Sequence, residues 1–165
     1  MIADGKNTLL KIGGNGDIIT CWRNCYEQFK NQPNDLGILD EIRYVGSVDD
    51  KCMAVFGYLC ENVSYRLDDK GYQWIKSPAR LLQDGKGDCK SLTMFIASCL
   101  HCLGIQCKVR FVNFDGGDQY THVYPVAIDE GGNEIAMDMC ETDTDGTPLY
   151  GYAREYSKKK EFLYQ

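Results

Sequence analysis

Apolar positions along this chain change rhythm part-way. As far as Leu103 they recur at the 3.6-residue spacing of helices, and beyond Gln106 they crowd into short runs typical of strands. Ile18, Cys21, Trp22, Cys25 and Phe29 form one stripe and predict a helix over Ile18 to Phe29. Ser47 is a good N-cap, with Asp49 and Asp50 suiting the first turn, and the stripe Cys52, Val55, Phe56, Leu59 and Cys60 predicts a helix from about Val48 to Glu61. The clearest amphipathic stretch runs from Cys89 to Cys102. Its stripe is Leu92, Phe95, Ile96, Cys99, Leu100 and Leu103, and Gly104 ends it in a C′-like position. Gln106 to Phe114, Tyr120 to Ile128 and Asn133 to Met139 then read as strands, the last two joined as a hairpin by Asp129-Glu130-Gly131-Gly132-Asn133. Tyr150 to Leu163 reads as a final helix on the sheet.

The segments between are turn-rich. The first 16 residues, with Asp4-Gly5 and Gly13-Gly14-Asn15-Gly16-Asp17, read as an irregular arm or short hairpin. Asn31 to Tyr44 is a connection, broken by Pro33 and Gly37. Tyr65 to Leu82, broken by Asp68-Asp69, Gly71 and Pro78, approaches the turn before Cys89. Helices followed by an antiparallel sheet give an α+β class. A length of 165 residues with no repeat or linker gives a single domain over 1–165.

Composition adds exclusions. A net charge of −6 argues against a nucleic-acid surface, and Lys158-Lys159-Lys160 reads as a solvated helix face. No apolar run is long enough to cross a bilayer, and the N-terminus lacks the apolar core of a signal peptide. Nine cysteines, an odd count without a regular framework, indicate a reducing, cytoplasmic setting. Most of them read as small buried hydrophobes, Cys21 and Cys25 included.

One cysteine stands apart. Cys89 opens its helix directly behind Gly85-Lys86-Gly87-Asp88. Free N–H groups and the dipole at a helix N-terminus favour a thiolate, the nucleophilic form. There are 2 histidines to serve as its base. His101 lies twelve residues along the same helix, roughly 18 Å away, on the face opposite the apolar stripe, and reads as exposed and inert. His122 lies at the start of a strand, in a separate element that can face a helix. Asp138 sits in an apolar strand end and wants a partner. If the hairpin pairs even positions with even, Asp138 and His122 share a face and the carboxylate can orient the imidazole; an odd register would point it away. The Cys89 N–H is a natural oxyanion donor. Gln73 is the best candidate for a second, with Trp74 and Tyr72 behind it.

The pieces Gly87-Asp88-Cys89, Ala97, Leu103-Gly104-Ile105, His122-Val123-Tyr124 and Ile135-Ala136-Met137-Asp138, in this order, resemble the transglutaminase-like superfamily, relatives of papain-like cysteine proteases. The resemblance covers about residues 47–139. Gln73 and Ser77-Pro78 ahead of the Gly-Asp-Cys turn are similar to small bacterial and phage-associated members. The resemblance implies a papain-like core with the cysteine at a helix N-terminus packed on an antiparallel sheet. It implies Cys89 as nucleophile, His122 as base, Asp138 as orienting acid and Gln73 as oxyanion donor. Two positions depart from the pattern. Lys90-Ser91 replace an acidic pair common after the cysteine, and Met139-Cys140 replace the Pro and Thr or Ser common after the aspartate.

The function expected is a thiol hydrolase acting on peptide or isopeptide bonds of a peptide or protein substrate, with no cofactor and no metal. The same acyl-enzyme serves transamidation when an amine replaces water. A non-catalytic module on the same fold, in a phage or secretion assembly, is the alternative from another class. The CxxC spacing of Cys99 and Cys102 is weak for redox or metal chemistry, because a helix C-terminus opposes thiolate formation.

Overall fold

The computed structural model describes residues 5, 7–10, 15–69 and 71–165. In chain order the elements are β1 (Asn7–Leu10), α1 (Asn15–Phe29), α2 (Gln32–Asp35), a 3₁₀ turn (Ile42–Tyr44), α3 (Val48–Asn62), β2 (Ser64–Tyr65), β3 (Gln73–Lys76), α4 (Pro78–Asp84), β4 (Lys86–Gly87), α5 (Cys89–Cys102), β5 (Cys107–Asn113), β6 (His122–Ile128), β7 (Glu134–Ala136) and β8 (Lys158–Tyr164). Helices precede an antiparallel sheet of order β7-β6-β5-β8, the expected α+β class.

α5 is the centre of the molecule. Every residue from Lys90 to Leu100 is buried, so the helix is enclosed on all sides rather than along one stripe. Phe95, Ile96 and Leu100 are fully buried, each worth about 1.5–3 kcal/mol of transfer free energy. Two of its polar side chains reach partners on neighbouring strands, while the buried Ser98 hydroxyl has none among the described residues. The Thr93 hydroxyl donates to the Val123 carbonyl at 3.1 Å, and Ser91 Oγ accepts from the Lys76 N–H at 3.0 Å. These bonds fix the helix to β6 and β3, the two strands beside its N-terminus.

The turn ahead of α5 is built by two glycines in different ways. Gly85 caps α4 in the left-handed region, at φ 66°. Gly87 is required by contact, since a Cβ there would lie 2.6 Å from Leu81 Cδ1 and 3.2 Å from Ser91 Cβ. β4 pairs in parallel with β2, matching Tyr65 to Gly87, and this brings the segment after α3 alongside the turn. α3 starts in a complete capping box between Ser47 and Asp50.

Three expectations are corrected. The C-terminal segment is a strand, not a helix: β8 pairs along the whole of β5, with Val109 opposite Phe162 and Cys107 opposite Tyr164. Period-2 alternation wins there. Phe162 and Tyr164 pack on the main core, while Glu161 accepts from the buried Arg110 at 2.8 Å on the other face. The three lysines therefore lie on a sheet edge, where charge discourages pairing with another chain. Among the described residues of the first arm, Asn7–Leu10 is a strand paired with β3, where an irregular arm or short hairpin was expected. His101 is half-buried and partnered, its ring nitrogens 3.2 Å from the Gln165 carbonyl and 3.2 Å from Asn31 Oδ1. The start of the first arm and residues 11–14 lie outside the described residues.

Candidate active site

The site forms where the N-terminus of α5 meets the start of β6. Asp88, the N-cap of α5, accepts from the Lys90 N–H at 3.0 Å, which makes Cys89 the first helical residue. Lys90 is buried. Its ammonium pairs with Asp88 and stands 3.5 Å from Asp68 Oδ2, and Asp68 also accepts from the Trp74 N–H at 2.7 Å. Burial opposes the Lys90 charge, but Asp88, Cys89 and Asp68 outweigh it and keep the amine protonated. One fixed cation thus stands beside the nucleophile candidate. The Trp22 indole adds a 2.9 Å bond to the Lys90 carbonyl, tying this first turn to α1.

On the sheet side, the register pairs Val126 with Ala136 and Ile128 with Glu134. This is the even-to-even pairing on which the sequence argument depended. The Met137 N–H to Pro125 carbonyl bond continues the pairing past the end of β7, so Asp138 falls on the His122 face. His122 Nε2 lies 2.6 Å from Asp138 Oδ2. The other carboxylate oxygen accepts the Cys140 N–H at 3.1 Å. Asp138 is 2% exposed, so both oxygens are committed within the fold.

Burial alone would discharge the imidazole. Its hydrogen bonds to Asp138 and to Cys89, with the charges of both, push the His122 pKa up to about 10. At neutral pH the ring is an imidazolium held between a carboxylate and a thiol. Phe114 and Tyr124 flank it, with ring centroids 5.6 and 5.9 Å away.

Cys89, His122 and Gln73 line one cleft of about 270 Å³, with Tyr120, Phe111 and Ile18 among its walls. Trp74 lines a neighbouring cleft with Asp68, Lys76 and Lys86 instead. Tyr72 is 53% exposed. Of the three candidate donors, Gln73 alone lines the Cys89 cleft. Its rim is Gln119 to Thr121 rather than the preceding turn Asp115 to Asp118. The polar loop Glu141 to Pro148 closes on itself through a Thr142–Pro148 bridge and does not line the cleft.

Two residues at this centre were not picked out by sequence. Tyr65, on β2, is near enough to Cys140, Cys89, Asp88 and Asp138 that partial burial and their charges hold its phenol above the ordinary range. Cys140 carries a thiol raised by burial and by Cys89 and Asp138. Tyr65 arrives through pairing of distant segments, and Cys140, noted in the sequence only as a departure after the aspartate, arrives through the turn that follows Asp138. Cys99 is buried, with its thiol raised by that burial, and the Cys102 thiol donates to the Lys30 carbonyl at 3.2 Å. Both belong to the packing, as do Cys21 and Cys25.

A thiol opposite an imidazolium, at a helix N-terminus and beside a cleft with an amide, has the partners needed to attack a carbonyl carbon as its thiolate and to return a proton to a leaving amine. The family model for the transglutaminase-like superfamily matches residues 39–139. This chain belongs to that superfamily. Solved structures agree on the fold. A candidate protease from Parabacteroides distasonis superposes with a TM-score of 0.62 at 12% identity, over 73% of this chain and 26% of that one. A candidate cysteine protease from Cytophaga hutchinsonii gives 0.51 at 15% identity, over 94% of this chain and 58% of that one. LapG of Legionella pneumophila gives 0.53 at 15% identity, over 86% and 78%. The transglutaminase-like chain described here thus spans about a quarter and three fifths of the first two proteins. No curated protein matches it. Among the described residues, no helix is long and apolar enough to cross a membrane.

Proposed function

We propose that this transglutaminase-like chain is a thiol hydrolase that cleaves a peptide or isopeptide bond in a protein substrate through a thioester on Cys89. The observation that carries the reading is the shared cleft of Cys89, His122 and Gln73, with Asp138 holding the far side of the imidazole at 2.6 Å. Cys89 attacks as the thiolate while the proton resides on His122. The oxyanion takes bonds from the Cys89 N–H and the Gln73 amide. His122 then protonates the leaving amine as the C–N bond breaks. Water, deprotonated by His122, cleaves the thioester and restores the thiol. Asp138 keeps the ring oriented and offsets its charge throughout. The solved structures named above, two of them candidate proteases, favour peptide bonds as the substrate class.

The reading includes a cytoplasmic place of work, because all nine cysteines are free, as in a reducing compartment. It includes no nucleic-acid partner, given the net charge of −6.

The test is a proteome-derived peptide library read by mass spectrometry for new N-termini. We expect new termini from the wild type and none from Cys89→Ala. Asp138→Asn should fall by about 10²–10⁴-fold. Capture of an added alkylamine in place of new termini would reassign the chain as a transamidase. Neither product, together with equal alkylation of Cys89 in wild type and His122→Ala, would leave a non-catalytic module.

A further inference from the structure

Three ligating side chains meet at the imidazole, on elements other than the one that carries Cys89. A ring nitrogen of His122, a carboxylate oxygen of Asp138 and Sγ of Cys140 all lie within 4.8 Å of one another. Their elements fix them independently. His122 is the first residue of β6, Asp138 follows β7 in even register, and the turn at Met139–Cys140 folds the thiol back over the carboxylate. The thiol has no part in the proposed hydrolysis.

We propose that His122, Asp138 and Cys140 form a binding site for a borderline-soft divalent cation of the zinc type, and that its occupation excludes His122 from acting as a base. Zinc takes nitrogen, oxygen and thiolate donors at about 2.0–2.3 Å in a tetrahedron. Donors on such an ion stand roughly 3.3–3.8 Å apart by those bond lengths, so side-chain adjustment suffices to close the set. The mixed donor set disfavours calcium and magnesium, which prefer oxygen alone. Three protein ligands leave the fourth position to solvent. The ion replaces the proton now shared by His122 Nε2 and Asp138. Binding therefore releases that proton and the Cys140 thiol proton to solvent, and affinity rises with pH. Burial and the neighbouring acidic groups, Asp138 among them, disfavour a bare thiolate at Cys140, and a cation at this point removes the penalty. The inhibition rests on the reading of His122 as base; the binding does not.

The probes are Co²⁺ and Zn²⁺, added to the full chain freed of metal with a chelator. We expect one Co²⁺ per chain, a thiolate-to-metal charge-transfer band, and displacement of Co²⁺ by Zn²⁺. Cys140→Ser and His122→Ala should each weaken binding at least tenfold, whereas Cys89→Ala and Cys21→Ala should bind like the wild type. Zn²⁺ should protect Cys140 from alkylation in the wild type, read by peptide mapping, which needs no variant to fold. Zn²⁺ should also suppress peptide cleavage by the wild type but not by Cys140→Ser. Absence of binding, or equal binding by Cys140→Ser with no protection of Cys140, overturns the site. Binding with the expected dependence in a chain that cleaves nothing would keep the site and sink the hydrolase reading instead.

Discussion

At the scale of single residues, the charge state of His122 decides what the centre can do. Two groups raise it against its burial: Asp138 through a 2.6 Å bond, and Cys89 across the cleft. In ¹H–¹⁵N spectra, with His101→Gln used for assignment, the His122 ring should titrate near pH 10 in the wild type. It should titrate lower in Asp138→Asn and lower in Cys89→Ala. A titration that ignores Cys89 would separate the two groups and sink the ion pair. Cys89, His122 and Asp138 were legible in the sequence because each carries a local mark: a helix start behind glycines, a strand start, an apolar strand end. Tyr65 and Cys140 carry none. They reach the centre through the parallel match of Tyr65 to Gly87 and the turn after Asp138. Lys90 stood out only as a departure from the family pattern. Its pairing with Asp68 depends on how the stretch after β2 folds back.

At the scale of elements, the start of α5 is held from three directions: the Asp88 cap, the Trp22 indole and the glycine contact at residue 87. The last is the tightest. Gly87→Ala puts a methyl 2.6 Å from Leu81 Cδ1 and 3.2 Å from Ser91 Cβ, so the Leu81 side chain must turn away and Ser91 must give by a few tenths of an ångström. Because Leu81 is fully buried, its rotation is taken up within the core, and the expected cost is about 1–3 kcal/mol, read as a lower urea midpoint, with Cys89 alkylation slowing more than that loss alone explains. Unchanged labelling in a destabilised protein would show that the turn supports the fold without aligning the thiol. α1, α3, α5 and the central strands were legible because their periodicity is long and uninterrupted, whereas the short α4 lay hidden in the stretch broken by Pro78. The last strand was not. Lys158 to Tyr164 holds lysine and glutamate, good helix formers, and its strand character comes from the free edge of β5, which sequence does not display.

At the scale of the whole molecule, His122 links stability to pH. Its folded pKa of about 10 lies above its ordinary value of 6.5, so the unfolded chain loses this proton first as pH rises. The stabilisation is complete below the unfolded pKa and is lost as pH climbs through the folded one. The difference in unfolding free energy between wild type and His122→Gln should therefore shrink steadily from pH 6.5 to about 10. A difference that stays flat, or grows, across that window would show the imidazole to be neutral in the native state. The α+β order was legible at this scale. The enclosure of α5 was not, because Lys90, Ser91 and Thr93 read as an outer face until their partners on β3, β6 and the Asp68 segment are in place.

That enclosure bears on motion. A helix buried from Lys90 to Leu100 opens only when the layers around it part, so it belongs to the last unit of a domain to unfold, not to its fraying margins. The thiol at its head therefore keeps its address for as long as the protein is folded at all. The facing rim, Gln119 to Thr121, lies outside helix and strand, so one wall of the cleft is a fixed anvil and the other is loop.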